Sequence, residues 1–164
     1  MEQGDQEIRR KTGVLWGLSQ KVLAACIEVH RRLGPGLLES AYHACLCREL
    51  ELRGIAFDAE RPLPVQYKGV HLECGYRVDL VIEEQLLVEL KSVAELMPVH
   101  KAQVLTYLKL TNLGVGLLVN FNTTSLRRGV RRLTRTPTRG WPLRPPTEPK
   151  TNPSRLPPDL LISL

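Results

Sequence analysis

Apolar residues at Val22, Ala25, Cys26, Val29 and Leu33 recur at three- and four-residue intervals, which places them on one face of a helix, and Ser19 stands where an N-cap would open it. Gly34-Pro35-Gly36 breaks that helix. Leu38, Ala41, Tyr42, Cys45, Leu46 and Leu52 then resume the helical interval as far as Gly54, a residue suited to a left-handed C-terminal cap. From Phe57 the pattern becomes extended. Pro62 and Pro64 punctuate a stretch that reaches Tyr67, and Lys68-Gly69 marks a turn into a second strand. There, a period-two alternation predicts Leu72, Cys74, Tyr76, Val78, Leu80 and Ile82 on one face and His71, Glu73, Arg77 and Asp79 on the other. A turn near Glu83-Glu84 leads to a third strand from Leu86 to Lys91, with Val88 and Leu90 opposed to Glu89 and Lys91. These three strands read as an antiparallel meander. Pro98 suits the first turn of a helix that runs towards Asn112. The run from Gly114 to Phe121, GVGLLVNF, is short and rich in β formers, so it reads as a buried strand reached by a helical crossover. The predicted order is ααβββαβ, with two helices packed on a sheet.

Beyond Leu133 the prolines become too dense for a helix or a central strand, and residues 134–164 are expected to form a disordered basic tail. The net charge of +6 changes the picture only when it is located along the chain. Met1 to Leu126 carries 14 basic and 15 acidic side chains, whereas Arg127 to Leu164 carries 9 basic and 2 acidic ones, so the excess belongs to the C-terminal end. Residues 1–17 read as an N-terminal extension and 18–133 as one domain. Cys26, Cys45, Cys47 and Cys74 lack the paired spacing of a zinc or iron–sulfur site and read as reduced, mostly buried thiols. No apolar run approaches the ~18 residues of a membrane span, and the first residues do not form a secretory signal; the expected location is cytoplasmic.

The chemistry concentrates in two strands. Alternation sends Asp79, Glu89 and Lys91 to one face of adjacent strands. Two carboxylates can hold a hard Mg²⁺ ion and leave positions open for water and a substrate phosphate. Such an ion polarises phosphoryl oxygens and lowers the pKa of a bound water. Lys91 can orient that water or neutralise charge gathering on the phosphate. The competing reading is a half-exposed sheet face on which Glu89 and Lys91 are solvated or form a weak pair. An acid, one residue and a lysine in a strand is a common pattern; a preceding aspartate on the hairpin partner and a following helix with Gln103 and Tyr107 make it far more specific.

Asp79, then Glu89-Leu90-Lys91, then Gln103-Val-Leu-Thr-Tyr107 resembles the pattern of the PD-(D/E)XK nuclease superfamily, including the QxxxY of its RecB-like branch. Upstream, Gly36-Leu-Leu-Glu39-Ser-Ala-Tyr42 matches the signature of the GxxExxY family within that superfamily, and the segments Val29 to Gly36 and Gly114 to Phe121 are similar to that family too. The resemblance spans about Leu18 to Leu133. It implies a restriction-endonuclease-like α/β fold with an αβββαβ core, a central mixed sheet flanked by helices. It implies Mg²⁺, with Mn²⁺ as an alternative, bound by Asp79, Glu89 and the Leu90 backbone carbonyl. Lys91 would assist the water and Glu39 would be a helix-borne acid at the same site. The proline that precedes the aspartate in the superfamily pattern is replaced by Val78.

Gln103 and Tyr107, four apart, share a helix face from which they can meet phosphates or hold Lys91, although Tyr107 fits a core role nearly as well. Tyr42 either orients Glu39 through its hydroxyl or fills the helix–sheet interface. His30 reads as a packing residue. The function these readings favour is metal-dependent hydrolysis of nucleic-acid phosphodiester bonds, with DNA as the partner. The rival is a nucleic-acid-binding or scaffolding subunit that cuts nothing without a protein partner to deliver substrate. The near-neutral charge of residues 1–126 favours that rival, because strong independent nucleic-acid binders carry a basic face.

Overall fold

A computed structural model of the chain describes residues 2–72 and 75–138. The first helix, α1 (Glu2–Leu33), runs unbroken through the region that the sequence separates as an extension. It buries Leu18, Val22, Ala25, Cys26 and Val29 along one face. Ser19 is not its N-cap. It lies inside the helix, where its Oγ donates to the Leu15 carbonyl at 2.8 Å, the back-bonding open to a mid-helix serine. Half-buried Leu15 and buried Leu18 show that the apolar face begins before the point where the sequence pattern becomes regular. After the Gly34-Pro35-Gly36 break, α2 (Glu39–Leu52) lies against α1.

The extended region divides in a way that the alternation did not anticipate. β1 (Phe57–Pro62) pairs antiparallel with β4 (Arg77–Ile82), from Phe57↔Ile82 to Pro62↔Arg77. Between them, β2 (Val65–Tyr67) and β3 (Val70–Leu72) pair only with each other, around the predicted turn at Lys68-Gly69. The single strand expected through Leu72 to Ile82 is therefore two strands. Gly75, at φ +69, adopts a left-handed conformation that an extended strand cannot pass through. Leu72 and Tyr76, assigned to the apolar face, are 40% and 51% exposed, and Val78 packs with the opposite core from Leu80 and Ile82. Glu73 and Cys74 lie outside the described residues.

β5 (Leu86–Lys91) returns antiparallel to β4 after a turn at Glu83-Glu84, as the sequence predicts. α3 (Pro98–Thr111) carries the chain across to β6 (Val115–Asn120), which lies parallel to β5 from Leu86↔Val115 to Lys91↔Asn120. Two further elements extend the predicted order. A short helix, α4 (Leu126–Gly129), leads into β7 (Val130–Thr134), which pairs antiparallel with β6 and closes the five-stranded mixed sheet in the order β1-β4-β5-β6-β7. Helices flank this sheet on both sides. Leu80, Ile82, Val88, Leu90, Leu117 and Val119 pack with α1, α2, Tyr42 and Phe121. Val81, Leu87 and Leu118 pack with Val104, Tyr107 and Leu108 of α3.

Two expectations about the chain end meet the structure differently. Residues 139–164, which make up most of the segment expected to be disordered, lie outside the described residues. The basic excess, however, does not reside only in a tail: Arg127, Arg128, Arg131, Arg132 and Arg135 stand on α4, on β7 and just beyond it. Among the described residues no helix is long and apolar enough to cross a membrane.

Candidate active site

β4 and β5 are paired as far as Leu80↔Val88, and one step further along the same register Asp79 faces Glu89. There the aspartate side chain takes over from the backbone: Asp79 Oδ2 accepts the Leu90 N–H at 2.7 Å. The Lys91 ammonium donates to Glu89 Oε1 at 2.6 Å and stands 3.9 Å from Oε1 of Glu39, the first residue of α2. The structure thus brings together Glu39, Asp79, Glu89, Lys91 and the Leu90 backbone.

Three acids share one lysine in a half-dry setting. Burial pushes the Glu89 carboxyl up to about 7; the charge of Asp79 adds to this, the Lys91 hydrogen bond opposes it, and Glu39 adds a further upward push. Asp79 is also raised, by burial, against the Leu90 N–H and the charges of Lys91 and His43. For Lys91 burial alone would act downward, but the bond and charge of Glu89, with Glu39 and Asp79 behind it, hold its pKa above the ordinary lysine value. Lys91 is therefore held in its charged form, while both acids beside it, Glu89 above all, are pushed towards holding a proton. Glu89 is 3% exposed, and its Oε2 is the buried side-chain polar atom left without a hydrogen-bond partner among the described residues. A buried acceptor with no donor, beside a second carboxylate, is the environment a cation relieves. Among the described residues no three imidazole, thiol or carboxylate groups converge as a metal cage. The donor set is a carboxylate pair, which suits an ion that keeps several waters.

The flanking residues divide. Gln103 Nε2 donates to the Tyr107 hydroxyl at 2.9 Å, so it is Glu89, and not Gln103, that holds Lys91. Tyr107 packs in the α3-side core, and its hydroxyl, raised mainly by burial, also feels the charges of Glu89, Lys91 and Asp79. Tyr42 does not orient Glu39 through its hydroxyl. It is fully buried, stacks on Phe121 with ring centroids 4.6 Å apart, donates to the Gly34 carbonyl at 2.6 Å and accepts the Leu37 N–H at 3.2 Å. It braces the loop that delivers Glu39 and has no surface to offer a nucleic acid. His30 is the packing residue expected, with Nε2 at 2.7 Å from the Thr123 carbonyl.

Three supporting residues escaped the sequence reading. His43 Nε2 lies 3.2 Å from the Asp79 carbonyl, and its position four residues after Glu39 was a readable signal. Asn120, 4% exposed, accepts the Val93 N–H at 3.1 Å and donates to the Val93 carbonyl at 2.8 Å, fixing the chain just past Lys91. A lone amide inside GVGLLVNF was its signal. Ser92 Oγ donates to the Leu37 carbonyl at 2.6 Å, joining the end of β5 to the Glu39 loop; no sequence pattern announces that bond.

A family model described as the PD-(D/E)XK nuclease superfamily matches residues 17–133. The chain belongs to this superfamily. No curated protein and no solved structure matches it. The five-stranded mixed sheet with helices on both faces is accordingly a restriction-endonuclease-like α/β fold, and the Asp79–Glu89–Lys91 cluster lies within the matched span. PD-(D/E)XK nucleases generally use divalent metals, and the orphaned Glu89 oxygen beside Asp79 fits such an ion.

Proposed function

We propose that this PD-(D/E)XK protein hydrolyses phosphodiester bonds of nucleic acid, with DNA as its substrate and Mg²⁺ as its ion, Mn²⁺ serving in its place. The unpartnered, buried Oε2 of Glu89 beside Asp79 carries this reading, because it leaves negative charge that Lys91 alone does not satisfy. Asp79, Glu89 and the Leu90 carbonyl would hold the ion, and the Leu90 N–H keeps the Asp79 carboxylate turned towards it. When bound, the ion supplies Lewis acidity to the phosphate and a lowered pKa to a coordinated water. Lys91, held between Glu89 and Glu39, keeps its proton and presents N–H groups to the attacking water or to a non-bridging phosphate oxygen. Glu39 tunes that lysine from the α2 side. Tyr107 and Gln103 offer a hydroxyl and an amide to the substrate backbone from the α3 side.

Membership of the GxxExxY family within the superfamily and a cytoplasmic location belong to the same proposal. The first draws support from the way Tyr42 of that signature braces the loop before Glu39. The test is to incubate the purified protein with end-labelled single- and double-stranded DNA and RNA, in Mg²⁺, Mn²⁺ or EDTA, beside Asp79→Ala and Lys91→Ala. DNA cleavage that needs the metal and disappears in both variants is the expected result. Binding without cleavage in any metal would instead make the protein a nucleic-acid-binding or scaffolding subunit, and cleavage untouched by EDTA or by Asp79→Ala would assign it to a contaminant.

A further inference from the structure

Two groups of arginines in this protein differ in their partners. Arg31, Arg32, Arg48, Arg53 and Arg61 each form an ion pair with an aspartate or glutamate. Among the described residues, none of the five between Arg127 and Arg135 has a carboxylate partner, and two of them meet other side chains. Arg132 lies 5.3 Å over the Trp16 ring of α1, and Arg135 bonds to Asn112 and Thr138. Arg127, Arg128 and Arg131 are exposed with no ion pair among the described residues, and the last two share one cleft.

Their place in the sheet ties them to the site. Leu118 of β6 is paired with Glu89 on one side and with Arg131 on the other, so Glu89, Leu118 and Arg131 form one row across three strands. Residues in one row share a face, and two strand spacings separate Arg131 from Glu89 by ~10 Å. The neighbours of Arg131 in β7 confirm the facing: Val130 packs with the α1–α2 core and Arg132 reaches Trp16 of α1. Arg128 and Arg131 also line a cleft with Asn120, Asn122 and Ala94, at the end of β5 and β6 where Lys91 stands. Exposed Glu95 is the acid among the lining residues, which include two arginines.

The arginines are also held in place. Arg131 Nη1 donates to the Arg128 and Val130 carbonyls, each at 2.8 Å, which fixes the guanidinium and leaves Nη2 and Nε without a hydrogen-bond partner among the described residues. Between them, Gly129 is pressed so close to β6 that a Cβ there would lie 2.3 Å from the Asn120 carbonyl oxygen. The same Asn120 anchors Val93, two residues past Lys91. Main-chain packing thus registers both arginines to the catalytic strand.

We propose that Arg128 and Arg131 bind a second phosphodiester of the strand whose scissile phosphate lies at Asp79 and Glu89, so that substrate leaves the site over β6 and β7. This rests on the nuclease reading above. A planar guanidinium matches a phosphate with two parallel N–H···O bonds. At ~3.4 Å of helix axis per nucleotide, ~10 Å corresponds to a few nucleotides of the same strand.

The experiment measures fluorescence-anisotropy binding of a labelled DNA duplex and its single strand, in EDTA over a range of salt, with Asp79→Asn as background so that binding is read without cleavage. Adding Arg128→Gln and Arg131→Gln together should weaken binding by about tenfold or more and flatten the salt dependence by ~0.9 in log–log slope per lost duplex contact. Arg131→Lys, which keeps the charge and loses the fork, should weaken binding with the slope retained, and melting curves establish that each variant is folded. Unchanged affinity and slope in the double variant, with DNA cleaved normally by the wild type, overturn the arginine site and leave the nuclease reading intact. The expected loss of binding with no wild-type cleavage in any divalent metal does the reverse. A wild type that binds neither DNA form overturns both.

Discussion

At the scale of single residues, Glu89 is the group whose protonation couples the site to stability. Its folded pKa of about 7 lies above its ordinary value of 4.5, so between those values the folded protein holds a proton that the unfolded chain has released. Without metal, its contribution therefore falls as pH rises through that window, by on the order of 3 kcal/mol in full, and Asp79, raised in the same direction, adds to the fall. Melting temperature measured in EDTA should drop from pH 4.5 towards pH 7 more steeply for the wild type than for Glu89→Gln. Mg²⁺ should raise the melting temperature increasingly as Glu89 loses its proton, because an ion held only by the folded carboxylate pair favours folding. A wild-type profile that coincides with that of Glu89→Gln, with or without Mg²⁺, would remove the metal role. Catalytically, Asp79→Asn, Glu89→Gln and Lys91→Ala should each abolish cleavage. Combining any two should add little, since the three groups act as one centre, and additive losses in single-turnover rates would separate them.

At the scale of elements, the α1–α2 loop is braced from within by Tyr42. Tyr42 is fully buried, and its hydroxyl closes bonds to Gly34 and Leu37. Tyr42→Phe leaves a part-buried carbonyl and a backbone N–H without their partner and should destabilise by about 1–3 kcal/mol, read as a lower denaturant midpoint at constant slope. Because the loop also receives Ser92 at Leu37 and precedes Glu39, the same variant should lower kcat with a smaller effect on KM. An unchanged kcat in a destabilised Tyr42→Phe would confine Tyr42 to packing. Element existence was legible here for α2, β5, α3 and β6, whose apolar intervals are local. The second strand was not, because the alternation from Leu72 to Ile82 continues through Gly75 although the backbone does not. β7 escaped as well: Arg131 and Arg132 stand together where a half-buried strand would alternate, since edge strands tolerate charge on both faces.

At the scale of the whole molecule, the folded unit extends past the sequence boundary at Leu133. The Arg135 N–H donates to the Gly114 carbonyl at 2.8 Å, and Thr138 exchanges two backbone bonds with the Asn112 side chain at 2.9 and 3.1 Å. We therefore expect a chain ending at Thr138 to melt with the full-length protein. A chain ending at Leu133 loses the last β7 residue and these bonds, each contributing about 0.5–1.5 kcal/mol, and should melt several degrees lower. Equal melting of the two shortened chains would return the boundary to Leu133. The same comparison reads the charge: the chain ending at Thr138 keeps Arg127, Arg128, Arg131, Arg132 and Arg135, so most of its DNA affinity should survive.

Asp79, Glu89, Lys91, Gln103 and Tyr107 were legible because a strand or helix repeats its facing every few residues, and chemistry written at those intervals needs no tertiary knowledge to be found. The sequence determined in this way most of the local elements, the acid–acid–lysine set and the superfamily. What it left open were relations between distant segments: that Tyr42 bonds to a loop instead of Glu39, that Asn120 holds Val93, and that Arg131 shares a row with Glu89 through Leu118. Those relations depend on strand order and register, which follow from how two apolar faces close over one sheet, and neighbouring residues carry no record of that choice.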